Sequence, residues 1–221
     1  MKLKNKLSVG VALIVAAIGT QAQASVIDFE DIAVVPGTSL IEATEISGGF
    51  VFTSPSNHIH RTNAGNGSFA DDGTTYLFTH DNGGQNANNA LTMALVTGGT
   101  FSISSLDLSE GFVGFGANTV HVLGNLFGGG TITQDFVLDG IIDGIGPGND
   151  FESFSFGIGW NNLIDLTFTG VGGTANEHAF AVDNIDVSGS SPVPEPSTLL
   201  LLGFGLASLG IARRRRGGVA R

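Results

Sequence analysis

The chain of 221 residues contains no cysteine, which excludes both disulfide bonds and thiol nucleophiles. It has one tryptophan, Trp160, and one tyrosine, Tyr76, whereas phenylalanine occurs 16 times. It also lacks a G-x-S-x-G elbow, an H-E-x-x-H helix motif and a phosphate-binding P-loop. These absences argue against an enzyme. A secreted polysaccharide hydrolase stays open as an alternative, because two of the 20 acidic residues could converge in space.

Basic side chains are scarce and are confined to the two ends of the chain. Of the nine Lys and Arg residues, only Arg61 falls between Ser25 and Pro196, whereas all 20 acidic residues fall in that span. The middle of the chain therefore carries a charge of −19, against −11 for the whole chain. Nucleic acid is excluded as a partner, because almost nothing is present to neutralise phosphate. Neutral polysaccharide, or a matrix rich in Ca²⁺, fits this charge better.

The first 24 residues have the three parts of a secretory signal peptide. Lysines at positions 2, 4 and 6 precede an apolar stretch over 7–19, and Ala22-Gln23-Ala24 follows as the cleavage site. We predict export through the Sec translocon and cleavage by signal peptidase after Ala24, which leaves Ser25 as the mature N-terminus. An uncleaved anchor is the alternative, and the shortness of the apolar stretch argues against it.

The C-terminal region combines a rigid motif, an apolar run and a basic cluster. Prolines hold the motif Val193-Pro194-Glu195-Pro196 extended, and an uncharged run over 197–212 follows it. A helix over this run is roughly 24 Å long against a hydrocarbon core of ~30 Å, a gap that snorkelling arginines can close. The cluster Arg213-Arg214-Arg215-Arg216 should stay in the cytoplasm with the tail 217–221, according to the positive-inside rule.

These three parts, in this order, resemble the PEP-CTERM sorting signal of Gram-negative bacteria that make exopolysaccharide. The resemblance covers 193–216 and implies that an exosortase, a membrane protease, removes the tail near Pro-Glu-Pro. It implies a precursor in the inner membrane and a mature protein in the cell envelope, on the cell surface or in the extracellular matrix of a biofilm. A permanently tail-anchored surface protein is the alternative. This tail is also called an ice-binding protein C-terminal domain, but the middle of the chain has no regular threonine array suited to ice.

The middle of the chain, 25–187, is predicted to be one all-β passenger domain, joined to the motif by a linker at 188–192. Glycine is abundant, and short apolar or alternating runs are separated by turn residues. About nine strands are expected, at 26–29, 49–53, 75–78, 100–108, 120–126, 131–138, 151–156, 163–168 and 179–187. No connection suits a βαβ unit, so the prediction is an antiparallel, jelly-roll-like β-sandwich. The triple glycine at 128–130 predicts a hairpin, and Ser104-Ser105 predicts a bulge.

The strand pattern at 128–140, 150–154 and 180–185 is similar to passengers that often accompany this tail and to jelly-roll carbohydrate-binding modules. In such modules the first and last strands are neighbours and share a structural Ca²⁺. The resemblance therefore implies Glu30 and Asp183 as Ca²⁺ ligands, with Asp28 as a weaker candidate. Solvated carboxylates at strand ends are the alternative.

Two aromatic rings are candidate contacts for carbohydrate, because a ring with a polar edge is a usual platform for sugar stacking. Trp160 lies in a glycine-rich segment at 157–162, and Tyr76 is the other candidate. Burial of both rings in the core, with the polar atom satisfied, is the alternative. The leading hypothesis is a non-enzymatic exported protein whose passenger is structural, adhesive or carbohydrate-binding, with exopolysaccharide as a partner.

Two further groups of residues can be interpreted from their spacing. His58 and His60 would face the same side of a strand, which makes half a metal site or a polar surface cluster. Asp139 and Asp143 each precede glycine, which favours turns over a Ca²⁺-binding loop of the EF-hand type.

Overall fold

The computed structural model describes residues 24–63, 69–80, 89–142, 150–173 and 178–188. They form a short 3₁₀ helix, η1 (Glu30–Ile32), and thirteen strands in two sheets. The strands are β1 (Ala24–Ile27), β2 (Thr38–Glu42), β3 (Thr44–Ser47), β4 (Phe50–Thr53), β5 (Ile59–Asn63), β6 (Tyr76–Thr79), β7 (Ala90–Leu95), β8 (Ser102–Ser109), β9 (Thr119–Leu126), β10 (Thr131–Val137), β11 (Glu152–Ser155), β12 (Leu163–Val171) and β13 (Phe180–Ser188).

Both sheets are antiparallel. The first sheet has the order β11–β8–β13–β6–β5–β2, and β1 also pairs with β13. The second has the order β10–β9–β12–β7–β4–β3. Hairpins join β3 to β4, β5 to β6 and β9 to β10, whereas the other neighbours are separated in sequence. The predicted all-β antiparallel sandwich is confirmed.

The predicted strands are found within a few residues of their expected bounds, and β2, β3, β5 and β7 are additional. The expected hairpin is present, since the Leu126 and Gly130 backbones close it with a hydrogen bond of 3.0 Å. The expected bulge is present too, because Asp186 lies opposite Ser105 while Val187 lies opposite Ile103. The first and last strands are neighbours, with Val26 to Asp186 among the paired positions. The predicted signal peptide (except Ala24) and the tail helix lie outside the described residues, among which no helix is long and apolar enough to cross a membrane.

The main core lies between the two sheets, and a second cluster lies on the outer face of the first sheet. The main core is rich in phenylalanine, and Phe29 meets Phe52 edge to face with ring centroids 5.2 Å apart. Along β6, Leu77 belongs to the main core while Tyr76 and Phe78 belong to the second cluster. Successive strand residues point to opposite faces, so the outer face of this sheet is also covered by chain.

The Phe52→Ala substitution tests the main core. Phe52 is fully buried, so losing its ring should lower the free energy of unfolding by about 3–5 kcal/mol. Val137→Ala is the control, because Val137 is 70% exposed on an edge strand and its truncation should cost less than ~0.5 kcal/mol. Urea unfolding followed by the fluorescence of Trp160, which is itself in the core, measures both. Equal stabilities of the two variants would contradict this core.

Candidate functional site

The structure brings the predicted calcium ligands Glu30 and Asp183 to one short segment. Glu30 lies in η1, and its Oε1 accepts the backbone N–H of Thr75 at 2.7 Å. Asp183 lies in β13, and its Oδ2 accepts the Thr74 hydroxyl at 3.1 Å. Asp72 adds a third carboxylate, whose Oδ1 accepts the backbone N–H of Thr74 at 2.9 Å. All three carboxylates therefore accept hydrogen bonds from Thr74 or Thr75, just before β6 begins.

Asp183 is the most perturbed carboxyl of this group. The residue is fully buried, and its Oδ1 accepts the backbone N–H of Asn184 at 2.7 Å. Burial, reinforced by the hydrogen bond and negative charge of Asp72, raises the pKa of Asp183 to about 9. Without a cation, Asp183 is therefore protonated at neutral pH. A bound cation would favour its ionised form.

Asp28 does not join this group. Its Oδ1 accepts the backbone N–H of Glu30 at 3.2 Å, so it supports the start of η1. Among the described residues, two groups of three His, Cys, Asp or Glu have ligand atoms close enough to hold one metal ion. Neither group includes Glu30 or Asp183.

The burial of Trp160 and Tyr76 contradicts their predicted role as sugar-stacking platforms. Trp160 is 4% exposed, and its ring packs against Phe156 with centroids 4.6 Å apart. Tyr76 is fully buried, and its hydroxyl donates a hydrogen bond to the carbonyl of Ala70. A glycine-rich segment does not expose its aromatic ring when that ring packs into the core between the adjacent strands. Neither ring has a face open to a sugar.

The first group of three is an acidic trio formed by Glu110, Asp139 and Glu152. Glu110 follows β8, Asp139 lies shortly after β10 and Glu152 begins β11, and one carboxylate oxygen from each lies within 4.8 Å of the others. Each carboxylate also accepts a backbone N–H. Oε1 of Glu110 accepts from Gly140 at 2.5 Å, Oε1 of Glu152 accepts from Asp139 at 2.9 Å, and Oδ1 of Asp139 accepts from Ile141 at 2.8 Å.

One buried oxygen of the acidic trio is unsatisfied within the described residues. Oε2 of Glu110 has no hydrogen bond within the part of the chain that the structure describes, although the residue is only 5% exposed. Burial raises the pKa of Glu110 and of Glu152, and the charge of Asp139 adds to both increases. Glu110 also lines a cavity of about 490 Å³ together with Asn118 and Gly140. An unsatisfied buried carboxylate oxygen beside two other carboxylates is suited to a hard cation.

The acidic trio connects the two sheets at one edge of the sandwich. Strands β8 and β11 belong to the first sheet, where β11 is the edge strand, and β10 is an edge strand of the second sheet. A cation held by all three carboxylates would therefore join the two edges. Ca²⁺ would suit this position as a structural ion, because it takes six to eight oxygen ligands from carboxylates, carbonyls and water.

The second group is a histidine cluster formed by His58, His60 and His80. His60 lies in β5, with His58 two residues before it, and His80 directly follows β6. Because Ile59 pairs with Thr79, the alternation of β5 and β6 places the three imidazoles on one face. The Nε2 atoms of His60 and His80 are 3.1 Å apart, and the ring centroids of the cluster are 4.8–5.0 Å apart.

The histidine cluster lies on the outer face of the first sheet beside phenylalanines. His60 stacks on Phe78 with centroids 4.1 Å apart, and its Nδ1 lies 3.0 Å from the Ser39 hydroxyl. A cavity of about 250 Å³ adjoins His60 and His80 and is lined by Phe69, Phe78, Phe112, Phe115 and Ala179. Burial, with the neighbouring histidines, lowers the pKa of His60 to about 3 and also lowers that of His58. Both rings are therefore neutral at physiological pH.

Sequence reasoning found His58 and His60 but not His80, and it missed the acidic trio. Strand β5 is not among the predicted strands. Nothing in the sequence therefore indicates its pairing with β6, which brings His80 to His58 and His60. Asp139 does form the predicted turn, because its side chain accepts the Ile141 N–H and Gly140 has a φ of +81°. Asp143 lies outside the described residues. No local signal connects Asp139 with Glu110, since they meet only through the packing of two sheets.

Residues 192–216 match the family described as the PEP-CTERM protein-sorting motif, which confirms the predicted sorting signal. The motif indicates a secreted surface protein that is processed at the membrane by an exosortase. No curated protein matches the chain. Among solved structures, it is similar to the K2 cleaved adhesin domain of Lys-gingipain, with a TM-score of 0.43 and 13% identity over 76% of this chain and 98% of that one. It is also similar to the Stig cyclase Fisc from Fischerella sp. TAU, with a TM-score of 0.40 and 12% identity over 75% of this chain and 98% of that one.

The raised pKa of Asp183 predicts how the stability of the protein depends on pH. The folded state keeps a proton on Asp183 up to a pH of about 9, whereas the unfolded chain loses it near ~4. This contribution to stability is therefore complete below pH ~4 and is lost as the pH rises towards 9.

In EDTA, the free energy of unfolding of wild type should fall more steeply between pH 5 and 9 than that of Asp183→Asn, whose amide stays neutral. Glu42→Gln is the control, because Glu42 is an exposed acid on β2 and its replacement should leave the slope unchanged. Urea titrations at each pH measure the difference. Parallel pH profiles of wild type and Asp183→Asn would contradict the buried protonated carboxyl.

Proposed function

We propose that the protein is an exported, non-enzymatic component of the cell surface or extracellular matrix, with a structural or adhesive β-sandwich as its passenger. The observation that carries this proposal is the PEP-CTERM motif at 192–216. The charge distribution supports it, because the basic residues lie at both ends while the acidic middle is the part to be exported. The Sec translocon, signal peptidase and an exosortase are the proposed processing partners.

We also propose Ca²⁺ as a structural ion of the passenger. The acidic trio supports this, because one carboxylate oxygen of Glu110 lies within 4.8 Å of one from Asp139 and one from Glu152. In addition, Oε2 of Glu110 is buried without a hydrogen bond among the described residues. Glu30 and Asp183 are the other proposed position, supported by their convergence on Thr74–Thr75. Exopolysaccharide is the proposed partner. Ca²⁺ would bridge it to a passenger whose charge otherwise repels anionic polymers.

A glycoside hydrolase is the second candidate function. It is favoured by the cavity beside Glu110 and by the raised pKa of Glu110 and Glu152, since glycosidases use two carboxylates, one of them protonated. The pair of a glycosidase stands on either side of the bond to be cleaved, however. The acidic trio converges on one point instead, which suits a cation better.

Removing the prolines of the sorting motif tests the route of export. In a host with an exosortase, the wild-type protein should leave the membrane fraction and lack residues 213–216. The double substitution Pro194→Ala and Pro196→Ala should keep the full tail in the membrane, because the motif loses its rigid extended form. Pro36→Ala, which changes an exposed proline of the passenger outside residues 192–216, is the matched control and should be processed.

Cell fractionation and mass spectrometry of the intact protein measure this outcome, and a strain without the exosortase should behave like the double variant. A membrane-bound wild-type protein that keeps Arg213 to Arg216 would overturn the sorting proposal and support a permanent tail anchor.

Glu110→Gln tests the calcium ion and its position. At a Ca²⁺ concentration of 100 times Kd, wild type should gain about 2.7 kcal/mol over its state in EDTA, or roughly 5–10 °C in Tm. Glu110→Gln should abolish most of this gain, because the amide keeps the hydrogen bond to Gly140 but loses the charge. Asp183→Asn should keep the gain if the ion lies at the acidic trio.

Thermal denaturation with Ca²⁺ and with EDTA measures these shifts. The reverse result, with the gain lost only in Asp183→Asn, would place the ion at Glu30 and Asp183. No gain in wild type would exclude a structural Ca²⁺. Incubation of the same proteins with the matrix polysaccharide of the host separates the two functions: binding that needs Ca²⁺ favours the matrix component, whereas turnover that Glu110→Gln abolishes favours the hydrolase.

A further inference from the structure

The histidine cluster has the donor atoms and spacing of a metal site. Zinc binds imidazole nitrogen at about 2.0–2.1 Å, so two nitrogens at neighbouring corners of a tetrahedron are about 3.3 Å apart. The Nε2 atoms of His60 and His80 are 3.1 Å apart. One ring nitrogen from each of the three histidines lies within 4.8 Å of the other two. We propose that His58, His60 and His80 together bind one transition-metal ion of the zinc type.

The backbone positions these ligands without help from a bound ion. His60 and Phe78 are directly paired in the β5–β6 ladder. His58 directly precedes Ile59 and His80 directly follows Thr79, and Ile59 and Thr79 form the last pair of that ladder. The His60 ring is held between Phe78, on which it stacks, and the Ser39 hydroxyl at its Nδ1. A hydroxyl that accepts the Nδ1 proton leaves the lone pair on Nε2, which is how partners behind the ligands orient metal-binding histidines.

The chemistry of the cluster selects the class of metal. Its three donors are imidazole nitrogens, which suit zinc, copper or nickel, whereas calcium and magnesium need oxygen ligands. Arg61 follows His60 in sequence and could repel a bound cation. Its side chain points to the other face of β5, however, where it pairs with Glu45 at 3.1 Å. The charge of −19 between Ser25 and Pro196 also attracts cations.

The described residues supply three ligands to this site. With these three alone, the fourth position of a tetrahedral zinc would take water or a small ligand, as in catalytic zinc sites and unlike closed structural ones. The neighbouring cavity of about 250 Å³ has room for such a ligand between His60 and Phe112. This site does not depend on the sorting signal or on the acidic trio.

Titration of the full-length chain with Co²⁺ and Zn²⁺ tests the proposal. The protein is purified in mild detergent and without a histidine tag, because a tag would bind the same metals. Visible absorption of Co²⁺ should saturate at one equivalent with the intense bands of a tetrahedral site, and Zn²⁺ should displace it. His58→Gln, His60→Gln and His80→Gln should each weaken Zn²⁺ binding at least tenfold. Ser39→Ala should weaken it by about 10- to 100-fold through the orientation of His60.

His121→Gln is the matched control, because His121 lies on β9 of the other sheet beside Asp135 and should not affect binding. Glu110→Gln should also bind Zn²⁺ normally, which separates this site from the calcium proposal. Since His60 is buried, melting curves in EDTA first establish that each variant folds, and the partly exposed His58 provides the variant that least disturbs packing. Absence of a saturable equivalent in wild type, or an equal loss in His121→Gln, would overturn the proposal.

Discussion

Strand β13 is the element on which the rest of the structure depends. It pairs with β8 along one side, and along the other it pairs first with β6 and then with β1. Its apolar side chains, among them Phe180, Val182 and Ile185, enter the main core. Asn184 adopts a φ of +47° where the register between β13 and β8 shifts, so one extra residue is accommodated beside the buried Asp183. The strand that pairs with β8, β6 and β1 thus also carries Asp183, the carboxyl with the most perturbed pKa.

The exported span has almost no basic side chains to balance its buried carboxylates. Glu45 is matched by Arg61, the one basic residue between Ser25 and Pro196. Burial raises the pKa of all three carboxyls, and Arg61 offsets this increase in part at Glu45, whereas Asp183 and Glu110 have no such partner. A protein of this composition has two ways to stabilise such groups, which are protonation and a cation from its surroundings. Because basic residues are scarce, the ionisation of these buried carboxyls would depend on pH and on any bound cation.

The sequence predicts nine strands from alternating or continuous apolar runs and misses four, two of which lack such a pattern. Strand β2 is exposed along its whole length and β5 is polar, so neither has the apolar pattern of a strand. That Glu30 and Asp183 both contact the segment Thr74–Thr75 follows from the neighbouring first and last strands, which are a property of the whole fold. The acidic trio and His80 were not predictable, because they come together through sheet order and the register of an unrecognised hairpin. The glycines beside Trp160 suggested an exposed ring, but the ring is part of the main core, which is filled by large aromatic side chains.

The pairing of β1 with β13 also has a consequence for the order of events during secretion. Val26 lies opposite Asp186, so the first strand waits for a partner about 160 residues later in the chain. A polypeptide that is threaded through a membrane from its N-terminus therefore cannot close its first sheet until nearly all of the passenger has emerged. Pro194 follows Asp186 by only eight residues, so export from the N-terminus, as proposed, would bring the sorting motif to the membrane as β13 emerges. Completion of the sheet would then coincide with arrival of the motif, and a truncated chain would be exported with its central strand position unfilled.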